Sequence, residues 1–137
     1  MTLFVDTSVW SLALRTDRES ARKAPEVAAL RDALEGGQTV VTTGLILQEL
    51  LQGFSGPRAR REIIDRFNAL PLLMPDRQDH IDAAELRNRC RRSGVQVATI
   101  DAVLAQIAIR HELTLLTTDK DFRRMAAHSP LRLWGQG

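Results

Sequence analysis

Short β-prone apolar runs alternate with helical segments along the whole chain, and few folds accommodate that order. Residues 2–5 (TLFV) read as a strand ending at Asp6, and a polar stretch follows. A helix is expected over 25–35, opened by Pro25 and stopped by Gly36-Gly37. Residues 39–42 (TVVT) form a second strand, 44–52 a helix closed by Gly53, and Pro57 opens another helix running to about 69. An extended segment is expected at 72–74, between Pro71 and Pro75, then a helix over 78–92 ahead of Gly94. Extended 95–99, helical 101–111, a strand at 113–117, a short helix at 121–127 and a last strand at 131–133 complete the reading. Strands rich in Val, Leu and Thr, separated by helices, predict an α/β domain whose mainly parallel sheet is covered on both faces. With no repeat, linker or low-complexity tract, residues 1–137 read as one domain, long enough to bury a core.

Several classes fall away on composition. Cys90 is the only cysteine, which excludes an internal disulfide and a Cys-rich zinc site and leaves a buried, inert thiol. No apolar run approaches the roughly 18 residues of a membrane helix. No basic segment precedes an apolar stretch at the N-terminus, so a cytoplasmic protein is expected. Aromatic content is 4% with no tyrosine, which argues against an aromatic platform for stacking nucleobases. The net charge is only +2, yet 17 of the 19 basic residues are arginine. They gather at Arg58, Arg60, Arg61 and Arg66, and again at Arg87, Arg89, Arg91 and Arg92. Two readings stand for these clusters: solvated helix faces, or bidentate contacts to phosphate.

In parallel sheets ligands bind beyond the carboxyl ends of the strands, so the residues just after each strand matter most. Asp6 follows the first strand, and Glu49 lies in the helix after the second. Asp101 opens a helix after the extended 95–99 segment, and Asp119 and Asp121 follow the strand at 113–117. Carboxylates brought to one edge repel, and they coexist ionised only around a cation. All-oxygen ligands suit Mg²⁺ or Mn²⁺ rather than zinc. Simpler roles compete at most positions. Asp6 can serve as an N-cap, Asp119 and Asp121 can cap the helix that follows them, and Glu49 lies where a solvated glutamate would lie. Asp101 differs. On its helix the polar side is Gln106 and Arg110, while Leu104 and Ala105 are its neighbours one turn on, so its carboxylate faces away from solvent. An unpartnered charge there is costly, which favours a metal ligand or catalytic acid over the other open reading, a cap at the helix start. Thr7, Ser8, Thr99, Thr117 and Thr118 accompany the acids and could orient their carboxylates.

Val5-Asp6-Thr7-Ser8-Val9-Trp10, Glu49-Leu50-Leu51-Gln52-Gly53, Thr99-Ile100-Asp101-Ala102 and Leu115-Leu116-Thr117-Thr118-Asp119-Lys120-Asp121-Phe122 together resemble the successive motifs of VapC-type PIN domains. The resemblance keeps the motif order and spans nearly the whole chain. It implies a three-layer α/β/α PIN fold with a central, mainly parallel sheet. It also implies an RNA endonuclease dependent on Mg²⁺ or Mn²⁺, acting as the toxin of a type II pair, held by a VapB-like antitoxin and forming a homodimer. The family's acids carry over to Asp6, Glu49, Asp101 and Asp119 as catalytic and metal-binding residues, with Asp121 as a fifth ligand that the family does not use uniformly. Arg58 and Arg60 match no motif.

Asp6, Asp101 and Asp119 are expected mainly to hold the cation, and Glu49 to complete the site or orient the attacking water. His80, His111 and His128 fall outside every motif, which disfavours histidine acid–base chemistry. Two other classes are weighed against this reading. A Mg²⁺-binding phospho-receiver domain would want an acidic pair after the first strand, where Thr7 and Ser8 follow Asp6 instead. A non-catalytic RNA-binding PIN domain would be favoured by loss of one acid, and none is missing. The helix pair at 44–52 and 57–69, with Leu47, Leu51 and Phe54, is the surface expected to hold the antitoxin, with core packing of those three residues the equal alternative.

Overall fold

The computed structural model describes residues 1–15 and 24–136. Five strands form one parallel sheet: β1 (Leu3–Val5), β2 (Val40–Thr43), β3 (Leu72–Leu73), β4 (Thr114–Leu116) and β5 (Arg132–Leu133). Their spatial order is β3-β2-β1-β4-β5. The chain builds outward from β1 on one side, then returns to lay β4 against the other side. The order therefore reverses between β1 and β4, where the carboxyl ends of the strands leave a crevice for a ligand.

The described helices are α1 (Thr7–Leu14), α2 (Pro25–Glu35), α3 (Gly44–Gly53), α4 (Pro57–Asn68), α5 (Arg77–Arg92), α6 (Thr99–Arg110) and α7 (Lys120–Ala126). α1 packs on α2 and α3, and α3 on α4; separately, α5 packs along α6. Every residue of β1 and β2 is buried, as expected for strands covered on both faces. Phe4, Ile46, Leu104, Leu115 and Phe122 fill the centre, and Trp10 meets Phe67 with ring centroids 4.9 Å apart. Cys90 is buried with them, as its composition-based reading required.

Most elements lie within a residue or two of their expected positions, with two corrections. Thr7–Leu14 is a helix where the reading above has a polar stretch after Asp6; the rest of that stretch, residues 16–23, lies outside the described residues. The apolar Val9 and Trp10 are its buried side, and burial outweighs the absence of a strong helix-forming composition. Residues 95–98 join no strand, and α6 already begins at Thr99. Asp101 is thus placed by a helix start rather than by a strand end.

That helix packs along α5 through its buried apolar face, and an ion-pair network joins the two at its far end. Asp76 and Asp79 form a reciprocal capping box at the start of α5. Arg110, in the last turn of α6, donates to Asp79 at 2.6 Å and pairs with Asp76 at 3.0 Å. Arg110 lies on the solvated side of its helix, as expected, and from there it binds a carboxylate that is 1% exposed. Joining the end of α6 to the start of α5 sets the two helices antiparallel. At the opposite end Arg87 Nε donates to Val97 O at 2.8 Å and holds the segment leading into α6.

Candidate metal centre

Asp6 occupies the N-cap position of α1, but its side chain caps nothing. Its Oδ2 accepts from Ser8 Oγ at 2.9 Å and from Thr117 Oγ1 at 2.8 Å. Asp6 is only 5% exposed, and burial raises its carboxyl above the ordinary value, opposed by the two hydroxyl donors. Thr117 Oγ1 in turn accepts the Asp119 N–H at 3.0 Å, and Ser8 Oγ accepts the Thr118 N–H at 3.1 Å. The loop after β4 is therefore laced to the loop after β1. Glu49, half-buried on α3, is reached by Thr7 Oγ1 at 2.9 Å.

Asp119 is the N-cap of α7, and its Oδ1 accepts the Asp121 N–H at 2.9 Å, so its capping role is real. One carboxylate can cap with one oxygen and offer the other to a ligand. Asp121, in the first turn of α7, pairs with the exposed Arg124 at 3.1 Å. Asp101, in the first turn of α6, is half-buried among acids. Burial first, then the charges of Asp6, Asp119, Glu49 and Asp121, push its carboxyl up to about 6.

One oxygen each from Asp101, Asp119 and Asp121 lies within 4.8 Å of the others. Asp6 and Glu49 stand outside that tight group, yet both are near enough to raise Asp101. Among the described residues, Asp6, Glu49, Asp101 and Asp119 form no ion pair with lysine or arginine. Half-buried negative charge of this kind, uncompensated and all oxygen, fits a hard divalent cation.

The sequence model of the PIN domain matches residues 3–128. This chain belongs to the PIN domain family. Solved structures with the same fold include a chain of VapBC2 from Rickettsia felis bound to a DNA fragment from their promoter. The match covers 97% of each chain at 20% identity, with a TM-score of 0.74. VapBC-1 from nontypeable Haemophilus influenzae matches at 20% identity over 97% of this chain and 96% of that one, with a TM-score of 0.72. VapC20 from Mycobacterium tuberculosis, described as a Sarcin-Ricin loop cleaving toxin, matches at 20% identity over 95% and 98%, with a TM-score of 0.70.

In this PIN domain the polar residues around the acids divide clearly. Thr7, Ser8 and Thr117 bind carboxylates, and Thr118 contributes its backbone N–H. Thr99 is exposed and bonds to none of the acids among the described residues. His80, His111 and His128 are exposed and take no part. Beside Asp119 lies a cleft of about 210 Å³ to which Arg123 and Trp134 contribute. Neither residue was singled out from the sequence, because each belongs to the site only through the neighbouring positions of β4 and β5. No described helix is long and apolar enough to cross a membrane.

Proposed function

We propose that this PIN domain is a divalent-metal-dependent RNA endonuclease and the toxin of a type II toxin–antitoxin pair. The observation that carries the reading is the approach of Asp101, Asp119 and Asp121 within 4.8 Å at the open end of the β1/β4 crevice. Asp6, at the end of β1, is held beside them by two hydroxyl donors. The described cleavage activity of VapC20, a protein of the same fold, supports RNA as the substrate.

Asp6, Asp101 and Asp119 are the residues that would hold Mg²⁺ or Mn²⁺, with Asp121 beside them. A bound cation supplies Lewis-acid polarisation of the scissile phosphate and neutralises charge gathering on its oxygens. Ser8 and Thr117 both donate to Oδ2 of Asp6, which fixes that carboxylate and leaves Oδ1 for the cation. Thr7 occupies Oε1 of Glu49, which leaves Oε2 to orient the attacking water or complete the ligand set. The histidines stand away from the site, so the carboxylates must handle any proton transfer from the chain.

The partner in this reading is a VapB-like antitoxin, since structures of the same fold are VapBC assemblies. Its docking surface is α3 with α4, where Leu47, Leu51 and Phe54 are half-buried against the core. A cytoplasmic homodimer completes the proposal. The deciding experiment is cleavage of total RNA by purified protein with Mg²⁺ or Mn²⁺, with and without chelator. Asp6→Asn should fold normally by circular dichroism and lose cleavage. Undiminished cleavage in chelator would sink the mechanism.

A further inference from the structure

Beside the acidic cluster the same sheet edge carries a second feature, which the proposed reaction has not used. β5 runs parallel to β4, in register at Leu115 with Leu133, and the Trp134 N–H donates to Leu115 O at 2.9 Å. Trp134 therefore stands just beyond the end of β5, as Asp119 stands beyond β4. Gly135, at φ +85°, follows it in a turn closed by Gln136 N–H to Leu133 O at 3.3 Å. That left-handed step suits glycine and fixes Trp134 on short backbone tethers.

Trp134 is half-buried, and with Thr118, Asp119, Arg123, Gln136 and Glu26 it lines the cleft of about 210 Å³. This volume falls below the roughly 300 Å³ at which pockets for drug-sized ligands begin. Its chemistry is mixed in a particular way. The indole, packed in part against the core, offers its remaining open surface for stacking, an exposed guanidinium offers a phosphate contact, and an amide and a carboxylate offer acceptors for the edge of a base. Asp119 belongs both to the cleft wall and to the acidic cluster. Whatever fills the cleft thus lies next to the reacting phosphate.

We infer that this cleft is a nucleobase subsite, in which Trp134 stacks on a base flanking the scissile phosphate and Arg123 meets a neighbouring phosphate of the same strand. The inference rests on the nuclease reading for what lies beside the cleft. The low aromatic content of the chain excludes an extended stacking platform and leaves room for one stacking residue. The occupant is single-stranded RNA, because a base inside a duplex does not present its face.

The test uses the full chain carrying Asp101→Asn, so that RNA is bound without turnover, and reads tryptophan fluorescence. Trp10 is 2% exposed and serves as an internal reference. A single-stranded RNA hexamer should quench Trp134, and Trp134→Phe should abolish the quench while holding RNA affinity within about threefold. Trp134→Ala should weaken binding by about tenfold and, in the otherwise active protein, change which positions are cut. The quench is read with Trp134 intact, so it does not depend on that variant folding. No quench at saturating RNA overturns the subsite, as does a folded Trp134→Ala protein with unchanged affinity and cleavage pattern. Absence of metal-dependent cleavage by the wild type, with Trp134 still quenched by RNA, would instead remove the nuclease reading and leave the subsite standing.

Discussion

Thr117 Oγ1 donates to Asp6 Oδ2 at 2.8 Å across 111 residues of sequence, tying the strand end of β4 to that of β1 at the point where strand order reverses. The same hydroxyl accepts the Asp119 N–H at 3.0 Å, so one side chain fixes two of the proposed ligands relative to each other. Removing it should cost more than one hydrogen bond. Thr117→Val is expected to weaken Mn²⁺ binding and RNA cleavage by roughly 10–100-fold, and Thr117→Ser to restore most of both. Calorimetric titration of Mn²⁺ beside cleavage rates checks this; a loss in the Ser variant with the Val variant unimpaired would show that the methyl group, not the hydroxyl, matters.

The raised Asp101 carboxyl sets a pH dependence. The folded protein keeps this proton to about pH 6, whereas the unfolded chain releases it near 3.8. Between those values unfolding releases a proton, so rising pH favours the unfolded chain. Without metal, wild-type stability should fall from about pH 4 to about pH 6 relative to Asp101→Asn, and the difference should level off above that window. Thermal melts of both proteins in chelator give the comparison. A difference that stays flat with pH would mean that Asp101 titrates normally.

Cation binding should reverse the repulsion that Asp101 suffers. At about ten times its Kd, metal is expected to add roughly 1.4 kcal/mol of stability to the wild type. The gain should shrink in Asp101→Asn, whose metal-free melting temperature should lie above that of the wild type at neutral pH. A variant that melts markedly lower without metal would identify Asp101 as a structural helix-start residue.

Arg110→Ala tests how α6 is aimed. It leaves Asp79, 1% exposed, without its cation, though solvent screening at the exposed Arg110 limits the loss. The melting temperature should drop by a few degrees, on the order of those seen for loss of one modest interaction. Metal affinity should drop as well, because the start of α6 carries Asp101. Unchanged affinity at lowered stability would uncouple the network from the site.

The antitoxin proposal has its own consequence at Glu49. A metal-free acidic pocket attracts a cation, which a basic tail of an inhibitor can supply. Glu49→Gln should therefore bind the product of the adjacent small open reading frame more weakly, measured by co-purification and titration. Harmless expression of the wild type alone, with no binding by that product, would remove the toxin assignment and leave the nuclease one.

Local order along the chain was legible in the sequence because it is governed by nearby residues. Pro25 and Pro57 open helices, Gly36 follows the end of α2, and short Val- and Leu-rich runs make buried strands. The aspartates stood out for the same reason, since each follows a strand or starts a helix, whereas Glu49, inside α3, was marked only by the motif it belongs to. Only the tertiary structure decided which of them meet. Strand order is a property of pairing between distant segments, and nothing local places β4 beside β1 or Trp134 beside Asp119. The direction of α6 likewise depends on Arg110 finding Asp79, 31 residues earlier. Periodicity shows which face of a helix is apolar, and it carries no information about which charge waits across an interface.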